Sequence, residues 1–167
     1  MEISEAIETR RSIRKYKKDI PSDGLIRQCI EAACFAPSAH NSQPWKFIII
    51  KEKEKIEALS ETQFYSKFLS NAPVVIVALA EESKSSRHWV EDLSCAIMLL
   101  MLKARSLGLG TCWNAVYDPE DQKRENYVRK VLKIPDRYRV LANISLGFPD
   151  EKREKKNIKN FEEATLI

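Results

Sequence analysis

Apolar residues in the first third of the chain recur at helical spacing. Ile3, Ala6, Ile7 and Arg10 lie three or four apart, with Ser4 close by to cap, and predict a helix over residues 2–10. Pro21-Ser22-Asp23 opens a second helix, with Leu25, Ile26, Cys29, Ile30 and Ala33 on one side. It ends before Pro37, whose ring disfavours helix at Ala36. Residues 37–44 form a polar loop between two prolines, and Trp45 to Ile50 reads as a buried strand. Residues 51–60 predict a charged amphipathic helix, whereas 61–72 fit neither period. Pro73 to Ala80 is apolar throughout, which predicts a strand with neither face in water. From Ser86 to Leu107, residues Trp89, Leu93, Ala96, Ile97, Leu100, Met101 and Ala104 face inward, and Met98 and Leu99 widen the stripe. That predicts a long helix buried on most sides, with Gly108 as its stop. Thr111 to Val116 reads as a strand, Pro119 to Leu132 as a helix, and Tyr138 to Leu146 as a strand in which every second residue is apolar. Beyond Phe148 periodicity fades, and a polar tail of this kind frays unless it docks; Phe161 and Leu166 could dock on another subunit.

Helices first, then strands separated by helices, favour an α+β layer fold. A chain of 167 residues with 44% apolar content suits a single domain over 1–167 with a real core. No apolar run reaches the roughly 18 residues of a spanning helix, and the first residues lack a signal-peptide pattern. The expected compartment is the cytoplasm, with no membrane partner.

Glycine usage narrows the chemistry. The chain has 4 glycines, against about 12 expected at an average usage of roughly 7%. A Walker loop or a dinucleotide fingerprint needs several in one short loop, and after Gly108-Leu109-Gly110 the third fingerprint position holds Trp113. Any phosphate must therefore be held mostly by side chains. His40, His88, Cys29, Cys34, Cys95 and Cys112 make no metal-binding spacing, so no metal is expected and the cysteines read as buried thiols. No serine sits in a GxSxG elbow.

The net charge of +4 is modest but unevenly placed. Residues 8–18 hold six cations against Glu8, a local +5, and residues 150–160 hold five against three acids, a local +2. An anionic partner fits both stretches, as do two solvated polar segments. Nucleic acid is not the expected partner, because aromatic residues do not interleave with these charges.

Three clusters carry candidate chemistry. Arg10-Arg11-Ser12-Ile13-Arg14 offers guanidinium forks and a hydroxyl within one turn, a phosphate grip that needs no glycine loop. Arginines at a helix C-terminus can also be purely structural. The loop Pro37-Ser38-Ala39-His40-Asn41-Ser42-Gln43-Pro44 is rigid and polar beside a core strand, either a binding loop or a turn in which Asn41 satisfies its own backbone. Gly108-Leu109-Gly110-Thr111-Cys112-Trp113 alone signals only a helix stop and a tight entry to a strand.

In this order, together with Ala72-Pro73-Val-Val-Ile-Val and Leu146-Gly147-Phe148-Pro149, the clusters resemble the FMN-dependent nitroreductase family across nearly the whole chain. The resemblance implies an α+β fold with a central mixed sheet and an intertwined homodimer, with FMN sites built from both subunits. It implies that Arg10 and Ser12 contact the phosphate and ribityl chain and that Arg11 fills the middle of that motif. Arg14 matches the cation beside the flavin N1 and O2 edge, an electrostatic support, with no protein residue acting as catalyst. Pro37, Ser38, Ala39 and Asn41 match the loop approaching the isoalloxazine from the partner. Thr111, Cys112, Trp113 and Asn114 fall on the strand whose backbone faces the flavin N5 side. Many members carry two late basic residues one apart; here Lys156 falls near the first position and Ile158 occupies the second, with Lys155 or Lys159 as substitutes. Lys67 is a further candidate contact. The tail from 148 to 167 is expected to dock on the partner, and the middle of the chain leaves little room for covering helices, so an open pocket is expected. The implied activity passes electrons from NADH or NADPH through FMN to an oxidised acceptor such as a nitroaromatic or quinone. A flavin-binding or sensing protein with little turnover needs the same contacts.

Overall fold

The computed structural model describes residues 1–85, 87–154 and 156. Its centre is a four-stranded sheet in the order β1-β2-β4-β3, with β1 Trp45–Ile50, β2 Val74–Glu81, β3 Gly110–Ala115 and β4 Tyr138–Gly147. The apolar run from Val74 becomes β2, an interior strand, and seven of its eight residues are buried. All three pairings are antiparallel. The mixed sheet implied by the resemblance is thus antiparallel in its four described strands, because each strand returns beside a neighbour of opposite direction. The parallel feature is a single bridge between Ser12 and Thr111, where the segment after the first helix runs beside β3.

One face of the sheet is covered by α2 (Asp23–Cys34) and α4 (Trp89–Ser106), which bury Ile26, Cys29, Leu93, Ile97 and Leu100 against Ile76, Ile144 and Leu146. The other face carries Val75, Val77, Leu79 and Val140 under α3 (Lys53–Ser60) and α5 (Lys123–Leu132). Ile13 and Tyr16 complete that second core. Helix α1 (Ile3–Thr9) buries only Ala6 and leaves Ile3 and Ile7 exposed.

Helix α4 ends as the Gly108 stop predicts. Gly108 has φ +77°, its N–H donates to Arg105 O at 3.0 Å, and Leu109 N–H donates to Ala104 O at 2.9 Å. These are the paired bonds of a left-handed glycine cap. The helix begins at Trp89, later than the expected Ser86, which lies outside the described residues. Helix α5 starts at Lys123 instead of Pro119. Asp118 accepts from Glu120 N–H at 3.0 Å and Asp121 from Lys123 N–H at 2.9 Å, so short carboxylates hold residues 118–122 in turns that compete with helix. The unassigned 61–72 stretch contains a 3₁₀ segment, Phe64–Asn71, which buries Ser66 and Leu69.

The tail is ordered by its own chain as far as Glu154. Lys17 N–H donates to Phe148 O and Asp150 N–H to Lys15 O, each at 2.9 Å, and Tyr16 pairs with Pro149. Residues 148–154 lie along residues 11–17 of the same chain, because their backbone groups find partners there. Phe161 and Leu166 lie outside the described residues.

Candidate functional site

The segment after α1 is pulled against β3 by backbone bonds. Ile13 N–H donates to Thr111 O at 2.9 Å, and a Cβ on Gly110 would stand 2.8 Å from the Ile13 side chain. Glycine at 110 leaves the room that the Ile13 side chain occupies against β3. The approach creates a cleft of about 400 Å³ between the end of α1, the end of α4, the start of β3 and the tail. Arg10, Arg11, Arg105, Lys152 and Arg153 line it, with Glu151 as the one acid and Thr111 on its floor.

Most of these charges already have work. Arg105 Nε donates to Thr9 Oγ1 at 2.9 Å, and Arg153 pairs with Glu151 at 2.7 Å. Glu151 Oε1 also accepts from the Arg14 N–H at 2.6 Å and the Lys15 N–H at 3.1 Å. Burial pushes the Glu151 carboxyl up, but these two amides and the neighbouring cations outweigh it and hold the group below its ordinary value. Arg11 spans three parts of the chain: Nε donates to Glu154 O at 2.9 Å, and Nη1 donates to Glu8 O at 3.0 Å and to Arg10 O. Its Nη2 is buried without a hydrogen-bond partner among the described residues. A buried cationic nitrogen left unpaired costs more than the about 1–3 kcal/mol of a neutral group. The side chains of the half-buried Arg10 and the exposed Lys152 make no hydrogen bond or ion pair among the described residues. A small anion suits this cleft by charge and by donor supply.

The other candidates sit around it. Ser12 is half-buried beside Cys112 and bridges Thr111. Arg14 is exposed, with its guanidinium 5.5 Å from the centre of the Phe68 ring. Thr111 and Cys112 are buried, and burial raises the Cys112 thiol pKa. Asn114 is buried and its Oδ1 faces Ser66 Oγ at 3.1 Å. Trp113 packs half-buried against the first core. Lys67 pairs with Glu61.

Pro37, Ser38, Ala39 and Asn41 do not line the cleft. Their loop connects α2 to β1 through a 3₁₀ turn, Ala39–Asn41. His40 (φ 54°), Asn41 (φ 54°) and Gln43 (φ 45°) are left-handed without being glycine. Each such residue costs about 1–2 kcal/mol, so the loop keeps its shape only because bonds impose it. Gln43 N–H donates to Ser38 Oγ at 3.0 Å, Gln43 Nε2 to Asn41 Oδ1 at 2.9 Å, and Glu81 N–H to Pro44 O at 2.8 Å.

A family model for the nitroreductase family matches residues 7–64 and 57–148, most of the chain. The chain belongs to the nitroreductase family. It is similar to a Methanothermobacter thermautotrophicus protein named "Putative NADH dehydrogenase/NAD(P)H nitroreductase", 39% identical over 154 residues, which span 90% of this chain and 79% of that protein. The crystal structure of a Parabacteroides distasonis protein of the same name matches with a TM-score of 0.93 at 35% identity, over 98% of this chain and 96% of that one. An FMN-dependent nitroreductase from Clostridium difficile gives 0.86 at 36% identity over 94% of each chain. The α+β fold implied by the sequence resemblance is the fold of these nitroreductase structures.

Within this nitroreductase fold, the structure brings Arg10, Arg11 and Thr111 into one cleft and leaves the 37–41 loop apart from it. Lys156 is exposed and does not line the cleft, while Lys155 and Lys159 lie outside the described residues. The late cations that do line it, Lys152 and Arg153, belong to the basic 150–160 stretch, but nothing in the sequence singles them out from their neighbours. Arg105 lies outside both basic stretches; its one sequence signal is a cation in the last turn of a helix, three residues before a glycine stop. Among the described residues, no helix is long and apolar enough to cross a membrane.

Proposed function

We propose that this nitroreductase-family protein is an FMN-dependent oxidoreductase that works as a homodimer. Bound FMN would carry electrons from NADH or NADPH to an oxidised acceptor such as a nitroaromatic or a quinone. The observation that carries the reading is the cationic cleft with its buried Arg11 Nη2, unpaired among the described residues. An FMN phosphate supplies the acceptor oxygens that this nitrogen lacks, and Arg10 and Lys152 supply compensating charge. Names among the relatives agree: an FMN-dependent nitroreductase and an NAD(P)H nitroreductase both align over most of this chain.

The chain's residues then divide the work. Arg10, Arg11 and Ser12 hold the phosphate and ribityl chain, with Lys152 in reach of the cleft in place of Lys156. Arg14 lends positive potential to the flavin N1 and O2 edge. Thr111 to Asn114 present backbone, since Thr111, Cys112 and Asn114 are buried. The Pro37–Asn41 loop reaches the ring system from the second subunit. Support for a dimer is apolar surface that one chain leaves in water: Ile3 and Ile7 on α1, Phe35 after α2 (83% exposed) and Met98 on α4. Docking of the chain beyond Glu154 on the partner belongs to the same proposal.

The test is fluorescence titration of flavin-free protein with FMN. Wild type binds. Arg10→Ala binds roughly tenfold to a hundredfold more weakly, since a hydrogen bond to a charged group contributes about 1.5–3 kcal/mol. An unchanged dissociation constant in that variant removes Arg10 from the site, and a wild type that does not bind FMN overturns the reading.

A further inference from the structure

A carboxylate interrupts the inward stripe of α4. Trp89, Asp92, Leu93 and Ala96 follow one another at helical spacing, and all four are buried, Asp92 to 6% exposure. Apolar packing gives no reason for a carboxylate there. Both oxygens are engaged: Oδ1 accepts from the Ala39 N–H at 3.0 Å, and Oδ2 accepts from Ser85 Oγ at 2.7 Å.

The first of these bonds reaches across 53 residues of sequence to the strained loop. Other bonds hold that loop to itself or tie its last residue, Pro44, to β2. The Ala39–Asp92 bond is different, because it fixes the loop's leading half to the longest helix of the fold at the point where the left-handed residues begin. Without it, His40 and Asn41 can return to ordinary backbone angles and the loop's polar atoms move.

We propose that Asp92 is a positioning residue: through the Ala39 N–H it holds the Pro37–Pro44 loop in the left-handed shape that presents Ser38, Ala39 and Asn41 to the flavin. This rests on the FMN reading given above. Ser85 restrains the second carboxylate oxygen and so fixes the direction in which the first one points. Asp92→Asn conserves both interactions, because its Oδ1 still accepts from Ala39 and its Nδ2 can donate to the Ser85 hydroxyl. Asp92→Ala conserves neither.

The experiment compares wild type, Asp92→Asn, Asp92→Ala and Ser85→Ala by three readouts. These are amide hydrogen exchange across residues 37–44 in flavin-free protein, the visible circular dichroism of bound FMN, and the split of kcat from KM for NADH. Asp92→Ala should exchange the Ala39 amide at least tenfold faster, alter the flavin spectrum and lower kcat/KM about tenfold or more. Asp92→Asn should stay near wild type on all three, and Ser85→Ala should move in the direction of Asp92→Ala by less. If Asp92→Ala fails to fold, the same exchange and spectral changes in Ser85→Ala carry the test. Wild-type loop exchange in Asp92→Ala, or in Ser85→Ala where Asp92→Ala does not fold, overturns the hold on the loop. Faster exchange with an unaltered flavin spectrum overturns the role toward the flavin. An Asp92→Asn variant as impaired as Asp92→Ala overturns the hydrogen-bonding account. Failure of wild type to bind FMN is a separate result that removes the FMN reading itself, and with it the flavin half of the proposal.

Discussion

Arg11 lines the cleft and also joins distant parts of the chain. Its guanidinium ties the end of α1 to the tail and still leaves Nη2 buried and without a hydrogen-bond partner among the described residues. The clustering of arginines was legible in the sequence, but the bond from Arg11 to the tail was not, because Glu154 lies 143 residues away. Arg14 differs in being exposed. Water therefore weakens its field, and its contribution should fall below the about 2.7–4 kcal/mol of an enclosed oxyanion donor. Arg14→Ala should keep FMN bound and slow flavin reduction roughly tenfold, about 1.4 kcal/mol; wild-type stopped-flow kinetics would remove the role. The thiols give a second residue-level prediction. Burial pushes Cys29 up to about 11 and raises Cys112, so both remain neutral thiols near pH 8 and should resist alkylation in the folded protein. These raised values also mean that stability present below the ordinary thiol pKa declines as pH climbs through the folded value. Rapid native labelling of either cysteine at pH 8, read by mass spectrometry, would contradict the burial.

At the scale of elements, α4 and β2 were readable because α4 carries a wide apolar stripe at helical spacing and β2 is an apolar run with neither face polar. The pairing of residues 11–17 with 148–154 was not, since backbone groups make it and backbone groups leave no pattern in sequence. Glu151 anchors that pairing through the Arg14 and Lys15 amides. With its pKa below the ordinary value, the carboxylate adds stability above the ordinary carboxylate range, and this is lost as pH falls through the lowered folded value. Protection of the Arg14 and Lys15 amides, taken relative to their intrinsic exchange at each pH, should therefore fall in Glu151→Ala at neutral pH and in wild type under acid. Equal exchange in Glu151→Ala and wild type at pH 7 would show that the tail is held by other bonds. Helix α5 carries a related lesson: its late start follows from Asp118 and Asp121 capturing nearby amides, local chemistry that a search for apolar periodicity passes over.

For the whole molecule, the family was legible from the order of short motifs, each weak when read alone. Which cations gather in the cleft depends on where the tail folds back, and that only the three-dimensional structure gives. The exposed apolar groups on α1, on α4 and just after α2 predict a dimer by analytical ultracentrifugation. Phe35→Glu should yield monomers with weakened flavin binding; a wild-type chain that sediments as a monomer with FMN fully bound would contradict a site shared between subunits.

A redox-active flavin held by this fold and fed by a nicotinamide would show in the visible spectrum of the purified protein loaded with FMN, recorded anaerobically before and after adding NADH and then NADPH. Flavin absorbance should bleach with at least one donor and return when a quinone is added. A protein that takes up no FMN, or one whose bound flavin neither donor bleaches, would contradict the FMN reading.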